Sequence, residues 1–437
     1  MRKSFKLIKI YRDPQVIGIL LLGFSSGLPF LLTLSTLHAW LSESGISKTT
    51  IGLFALATAP YALKFLWGPL IDNLRIPYLY DYFGPRRSWM ILSQIALMIS
   101  LVGVGLTNPT EHIFLTACLV FFVSLSAASQ DTAIEAYRIE SLGKHRVGQG
   151  ASASVLGFRL GMWVSGGGAL YLAAIFKNWS LVYTVMAAFV TVGMVATFLV
   201  PESHTLNTGS LITKAKASSF CTHNLRIFFQ IKFKAALTSF FNKGDWLLII
   251  TFIFLFKVGD TVLNMMSIPF LLEVGFSKIE IAHIAKSFGI MAMIFGGMLG
   301  GLLLSYMSMI NNLLLCTILQ MISCVLFMLQ AYIGHHIGFL IVTMGIENLA
   351  CGISATTLVL YFSSLCQPPY TATHYALLSS FSSIARLGFS MLAGWMADAL
   401  PWASFYALGA IGCLPCLMLL ICYPRHFMHS GQLQYTR

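Results

Sequence analysis

Twelve stretches of this chain are long and apolar enough to cross a bilayer, and no other feature constrains its fold as tightly. Each runs for about 20 residues or more, the length an α-helix needs to span a hydrocarbon core. They lie at 16–41, 50–71, 88–106, 112–137, 150–175 and 179–200. After a polar gap come 246–272, 279–305, 309–331, 337–364, 374–398 and 402–423. Several exceed 25 residues and carry or adjoin Pro29, Pro60, Pro269 and Pro415, so tilts and kinks are expected. Composition agrees. The chain is 57% hydrophobic and only 10% charged, whereas a soluble domain carries about 25% charged residues. An all-α membrane protein is the expected class.

A net charge of +12 would suggest nucleic acid on a soluble protein. On a membrane chain it reads as basic loops facing the cytoplasm. With the N-terminus placed inside, the loops and tails on that side hold nineteen Lys and Arg and the opposite side holds three, Lys48, Lys177 and Lys278. Both termini are therefore expected in the cytoplasm. The first run lacks a small-residue cleavage site and is expected to remain as a span. Of the nine cysteines, most lie in apolar runs. Cys413 and Cys416 flank Pro415 in such a run and read as packing residues.

The polar gap divides the chain into a six-helix half at 1–200, a basic linker at 201–245, and a second six-helix half with its tail at 246–437. An amphipathic helix around Asn224–Leu237, lying on the anionic inner leaflet, is expected in the linker. The halves repeat. Gly45-Ile-Ser-Lys-Thr-Thr-Ile resembles Gly275-Phe-Ser-Lys-Ile-Glu-Ile, 230 residues later. Arg159-Leu-Gly in span 5 resembles Arg386-Leu-Gly in span 11, 227 residues later. Two matches at nearly equal offsets indicate a parallel 6+6 duplication, as in the major facilitator fold. Gly68-Pro-Leu-Ile-Asp72, followed by Arg86-Arg87, is similar to that superfamily's signature between spans 2 and 3. Asp72, Arg86 and Arg87 are expected to act in gating.

Nine charges sit within or at the ends of spans: Lys64, Arg159, Lys257, Lys286, Arg386, Asp131, Glu135, Asp260 and Glu347. Each facing lipid near the midplane would cost roughly 2.5–3.5 kcal/mol. Nine would together exceed the stability of a typical fold, about 5–15 kcal/mol. They must face one another or water, which implies a polar cavity; ion pairs that only lock helices together are the alternative. Asp131, Glu135 and Arg138 share one helix face by spacing, as do Lys257, Asp260 and Asn264. Buried carboxylates can couple transport to protons, and cations facing water attract an anionic substrate. Trp40, Trp67, Trp163, Trp395 and Trp402 are candidates for stacking on sugar rings.

Motifs across nearly every span resemble the AmpG-type muropeptide permeases of the major facilitator superfamily. They include Gly23-Phe-Ser-Ser-Gly-Leu-Pro29, Lys64-Phe-Leu-Trp67, Ser129-Gln-Asp131, Ser154-Val-Leu-Gly-Phe-Arg-Leu-Gly161, Phe256-Lys-Val-Gly-Asp260, Pro269-Phe-Leu-Leu272, Glu347-Asn-Leu-Ala350, Tyr370-Thr-Ala-Thr373 and Tyr375-Ala-Leu-Leu-Ser-Ser380. The resemblance implies an inner-membrane importer of anhydro-muropeptides, released in cell-wall turnover and driven by the proton-motive force. The sequence departs from the family pattern at Gln367, His374 and Ala385, where Asn, Gln and Gly are expected.

These readings combine into a twelve-helix alternating-access transporter, not an enzyme, with no cofactor beyond the proton gradient. It is expected to act as a monomer in the lipid bilayer, with an anionic sugar-peptide as substrate and no nucleic-acid partner. Arg159, Arg386, Lys64, Lys286, Asn264 and Gln130 are the expected substrate ligands. Asp131, Glu135, Asp260 or Glu347 would carry the proton, with Lys257 as counter-ion of Asp260. The alternative cargo is another bulky anion, such as a siderophore or an acyl-coenzyme A. A lipid-linked transferase is disfavoured, because no DxxD, HxxxxD or metal-like cluster is present and the outer loops are short.

Overall fold

The computed structural model describes residues 13–142, 146–201, 225–242, 245–281, 283–284 and 288–424. Every regular element among them is helical. Lys286 and the side chain of Asn264 lie outside the described residues. The chain forms two compact units, Met1–Phe241 with Cys366–Ser380, and Asn242–Leu365 with Phe381–Arg437. Residues 366–380 thus group with the first unit, although in sequence they belong to the second half.

In the first unit α1 spans Pro14–Leu32 and α2 Ser35–Glu43. Asp13 opens α1 by accepting the Gln15 N–H at 3.0 Å, with Pro14 in the first turn, where its missing N–H leaves no intrahelical bond unmade. Pro29 weakens the last turn of α1, and the Thr33 hydroxyl donates to the Pro29 and Phe30 carbonyls there. Next come α3 (Lys48–Leu53), α4 (Ala59–Leu63) and α5 (Gly68–Asn73). The long helices α6 (Leu79–Leu106) and α7 (Ile113–Ser141) follow. Then α8 (Val147–Trp163) leads through a π-turn at Val164–Gly168 into α9 (Ala169–Phe176), before α10 (Trp179–Leu199) and α11 (Leu225–Phe241). The second unit holds α12 (Trp246–Val274), α13 (Lys278–Ile281), α14 (Gly289–Leu303), α15 (Met309–Ile333), α16 (Ile337–Leu365) and α18 (Trp402–Cys422). Helix α17 (Thr371–Ala399) begins in the first unit and continues in the second.

Among the described residues, nine helices have the length and hydropathy to cross a membrane. The three other apolar runs, at 50–71, 150–175 and 279–305, are built from shorter pieces. The first is cut by 3₁₀ turns at Phe54–Thr58 and Lys64–Leu66, around Pro60. The second is cut by the π-turn at Val164–Gly168, and the third lies as α13 and α14. Such turns inside helices often mark functional positions; here one holds Lys64 and another follows Arg159.

The duplication is visible in detail. Gly45 (φ 74°) and Gly275 (φ 104°) end α2 and α12 in left-handed backbone. After each, the next N–H reaches back five residues, Ile46 to Leu41 at 3.1 Å and Phe276 to Leu271 at 3.0 Å. Ser47 and Ser277 then cap the following helices, accepting from Thr50 and Glu280 N–H. An aromatic clamp recurs as well. Trp40 packs on Trp179 and Tyr183 with centroids 5.9 and 5.2 Å away; Phe270 packs on Trp402 and Tyr406 at 5.4 and 5.1 Å. In each clamp the indole N–H donates at 2.8 Å to an acid, Trp179 to Glu43 and Trp402 to Glu273.

One helix contact positions the chemistry of the first unit. A Cβ on Gly27 of α1 would meet the backbone of Phe158, and one on Gly157 of α8 the backbone of Leu20. Without those carbons the two helices touch backbone to backbone, as small residues permit in membrane bundles. This contact brings Phe158 against Phe30.

Candidate functional site

The Asp131 carboxylate on α7 receives two donors from other elements. Lys64 Nζ donates at 2.5 Å and Ser26 Oγ at 2.7 Å. The Lys64 side chain is 6% exposed and that of Asp131 is 19% exposed. The pair is therefore largely enclosed by protein, while the carboxylate keeps an opening. Lys64 sits in the second 3₁₀ turn of the broken run, and its ammonium lies 5.9 Å from the centre of the Tyr375 ring. Tyr61, one turn before Lys64, is within the electrostatic reach of Asp131, and its buried phenol oxygen has no hydrogen-bond partner among the described residues.

One turn further along α7 the pairing changes. Glu135 accepts two bonds from the fully buried Arg138, at 2.8 and 2.5 Å, and one from Ser154 Oγ at 3.1 Å. Arg138 also faces the Tyr375 ring, 6.0 Å from its centre. Spacing puts Asp131, Glu135 and Arg138 on one face, yet only the last two bond to each other. Asp131 turns to Lys64, 67 residues away in sequence. Gln130 is fully buried and donates to Ser25 at 2.8 Å, which ties α7 to α1.

A second ionic network surrounds Asp72 at the end of α5. The buried Arg86 donates to Asp72 at 2.8 Å, to Glu140 at 2.6 and 3.0 Å, and to the Ile71 carbonyl at 3.0 Å. Asp72 also accepts the Ala372 N–H at 3.0 Å, the Thr373 N–H at 2.8 Å and the Thr373 hydroxyl at 2.6 Å. It caps the first turn of α17 from a distance of 300 residues, placing a negative charge at the positive end of a helix dipole. Arg87 goes elsewhere and donates to the Thr197 and Phe198 carbonyls at 2.8 and 3.0 Å. Sequence reasoning missed Glu140; its signal was an acid two residues beyond Arg138 at the end of a span.

Arg159, half-buried on α8, donates to Met162 Sδ at 3.7 Å and forms no ion pair among the described residues. Beside it Phe158 packs on Phe30 with centroids 5.9 Å apart, and Phe30 packs on Tyr61 at 5.8 Å. In the second unit Lys257 donates to Asp260 at 2.9 Å, and the Cys351 thiol lies 3.6 Å from the other oxygen of Asp260. Glu347 and Asn348 are buried on α16, with Asn348 donating to the Met344 carbonyl at 2.9 Å. Arg386 is exposed on α17. Of the departures from the family pattern, Gln367 and His374 meet. The Gln367 N–H donates to His374 Nδ1 at 3.4 Å, and the His374 ring packs on Phe240 of α11. The linker helix expected near Asn224–Leu237 is thus present as α11, with Ala236 and Phe240 buried. Of the tryptophans, Trp40 and Trp402 are consumed by the two clamps.

The sequence profile of the Major Facilitator Superfamily matches residues 19–389. The anhydromuropeptide permease of Escherichia coli K12 is 33% identical over 436 residues, covering 99% of this chain and 83% of that protein. A Rickettsia typhi protein named AmpG 3 is 37% identical over 400 residues, covering 91% and 93%. The chain belongs to the Major Facilitator Superfamily, in its AmpG-type branch. Solved structures share its fold. The proton:xylose symporter XylE superposes with a TM-score of 0.66 at 13% identity, covering 96% of each chain. The outward-facing FucP transporter gives 0.67 at 13% identity, covering 94% of this chain and 99% of that one.

The AmpG-type motifs now have physical content. In Gly23-Phe-Ser-Ser-Gly-Leu-Pro29, Gly23 and Gly27 admit the backbone of α8, Ser25 holds Gln130 and Ser26 holds Asp131. In Tyr370-Thr-Ala-Thr373, the last two residues supply three of the four donors to Asp72, Arg86 being the fourth.

Proposed function

We propose that this chain imports anhydro-muropeptides across a bacterial inner membrane by alternating access, with the proton as coupling ion and both termini in the cytoplasm. The observation that carries this reading is the Lys64–Asp131–Ser26 cluster. A lysine whose charge is balanced by a neighbouring carboxylate attracts a substrate carboxylate only weakly. Protonation of Asp131 removes the charge that holds Lys64 and frees the ammonium for the anionic substrate; deprotonation recaptures it. Proton and substrate then bind together, as symport requires. Arg159 supplies a second cation for the peptide carboxylates, and Asp260 with Lys257 forms a further exchangeable pair. Arg386, Lys286, Asn264, Gln130, Glu135 and Glu347 are secondary candidates in the same scheme. Asp72 and Arg86, with Arg87 beside them, act in gating: Asp72 clasps the first turn of α17, and transport releases and remakes that clasp.

The test is growth and uptake in a strain lacking its own permease. Expression of this chain is expected to restore accumulation of labelled anhydro-muropeptide, and an uncoupler is expected to abolish it. Accumulation that an uncoupler leaves untouched would reject proton coupling, and no accumulation at all would reject the cargo.

A further inference from the structure

We infer that Tyr61, Phe30 and Phe158 form a saccharide-binding strip on the first unit, on which the sugar rings of the substrate stack. The inference rests on the muropeptide reading for its ligand class and adds a subsite to it. Three observations converge. The rings form a continuous series, Tyr61 to Phe30 to Phe158, with centroids 5.8 and 5.9 Å apart and planes inclined at 79° and 55°, so that each presents a separate face. All three side chains are half-buried, whereas aromatic residues of the neighbouring core, such as Tyr183, are fully buried. The Tyr61 phenol oxygen has no partner among the described residues, an unmet hydrogen-bonding group that a ring hydroxyl would satisfy once the Tyr61 ring turns outward.

The ends of the strip suit the rest of such a ligand. Tyr61 lies three residues before Lys64, which binds Asp131, so that ion pair stands near the Tyr61 end. Arg159 follows Phe158 at the other. The C–H faces of a pyranose are apolar and weakly positive, and aromatic faces are negative, so sugar rings stack there while hydroxyls and carboxylates reach the polar ends. Of the tryptophans near the spans that the sequence offered as stacking candidates, Trp40 and Trp402 are occupied by the clamps.

Purified full-length protein is tested by calorimetric binding of the anhydro-disaccharide alone and of the peptide alone. In proteoliposomes, uptake kinetics of the joined substrate are measured. Tyr61→Phe, which deletes only an orphaned oxygen and so leaves the melting temperature unchanged or raised, is expected to weaken disaccharide binding about three- to tenfold. Phe30→Leu is expected to raise KM for the joined substrate about tenfold, with Phe30→Trp restoring it and peptide binding unaffected. Equal losses for disaccharide and peptide, or no change in either at wild-type stability, would reduce the strip to packing. A wild type that binds no disaccharide overturns the strip outright. A wild type that binds disaccharide through Phe30 but accumulates no muropeptide overturns the transport reading and leaves the strip standing.

Discussion

Asp131 and Arg86 each anchor an ionic network of the first unit, and they differ in what surrounds them. The Asp131 carboxylate has two donors and an opening, which leaves it free to exchange partners. Asp131→Asn is expected to lower gradient-driven accumulation at least about tenfold, while exchange of labelled for unlabelled substrate across proteoliposomes continues, because binding remains and coupling does not. Arg86 has no opening, at 0% exposure between Asp72 and Glu140. Arg86→Ala would remove the guanidinium that Asp72 and Glu140 share and is expected to cost about 3–5 kcal/mol, read as a lower unfolding midpoint in detergent. Arg87→Ala removes bonds to two carbonyls and is expected to cost about 1 kcal/mol. The acids and bases were legible in the sequence as charges in apolar runs. Their partners were not. Spacing groups residues of one helix, and Asp131 bonds across to Lys64, which only tertiary packing brings near.

At the scale of the element, the interface of α1 and α8 is the part on which the site depends. Gly157→Ala would set a methyl group against the backbone of Leu20 and push α8, with Phe158 and Arg159, away from α1. The expected cost is about 1–3 kcal/mol, the range for overpacking, with a lower folded yield and reduced uptake in whatever protein reaches the membrane. The same change at Gly168, where an added Cβ meets only Val164 at 3.9 Å, is expected to be tolerated. Hydropathy found every span, including the broken ones, because apolar residues read alike in α, 3₁₀ and π turns. It could not find the breaks. Those follow from Pro60 and from the Gly166–Gly168 run, and they place Lys64 in a tight turn that a continuous helix would lack.

For the whole molecule, two matched motifs were enough to expose the duplication in sequence. The stronger sign was hidden, because the two clamps use Trp40 in one unit and Phe270 in the other, so equivalent contacts are made by unlike letters. The fold is shared with a proton:xylose symporter and with FucP at 13% identity, which leaves cargo and coupling to particular residues and not to architecture. The central claim is that muropeptide and proton move together through the Asp131–Lys64 site. A pH-sensitive dye trapped inside proteoliposomes measures it directly. On adding anhydro-muropeptide outside, the account predicts prompt lumenal acidification by wild type and none by Asp131→Asn. Substrate entry without acidification in wild type, or equal acidification in the variant, would contradict it.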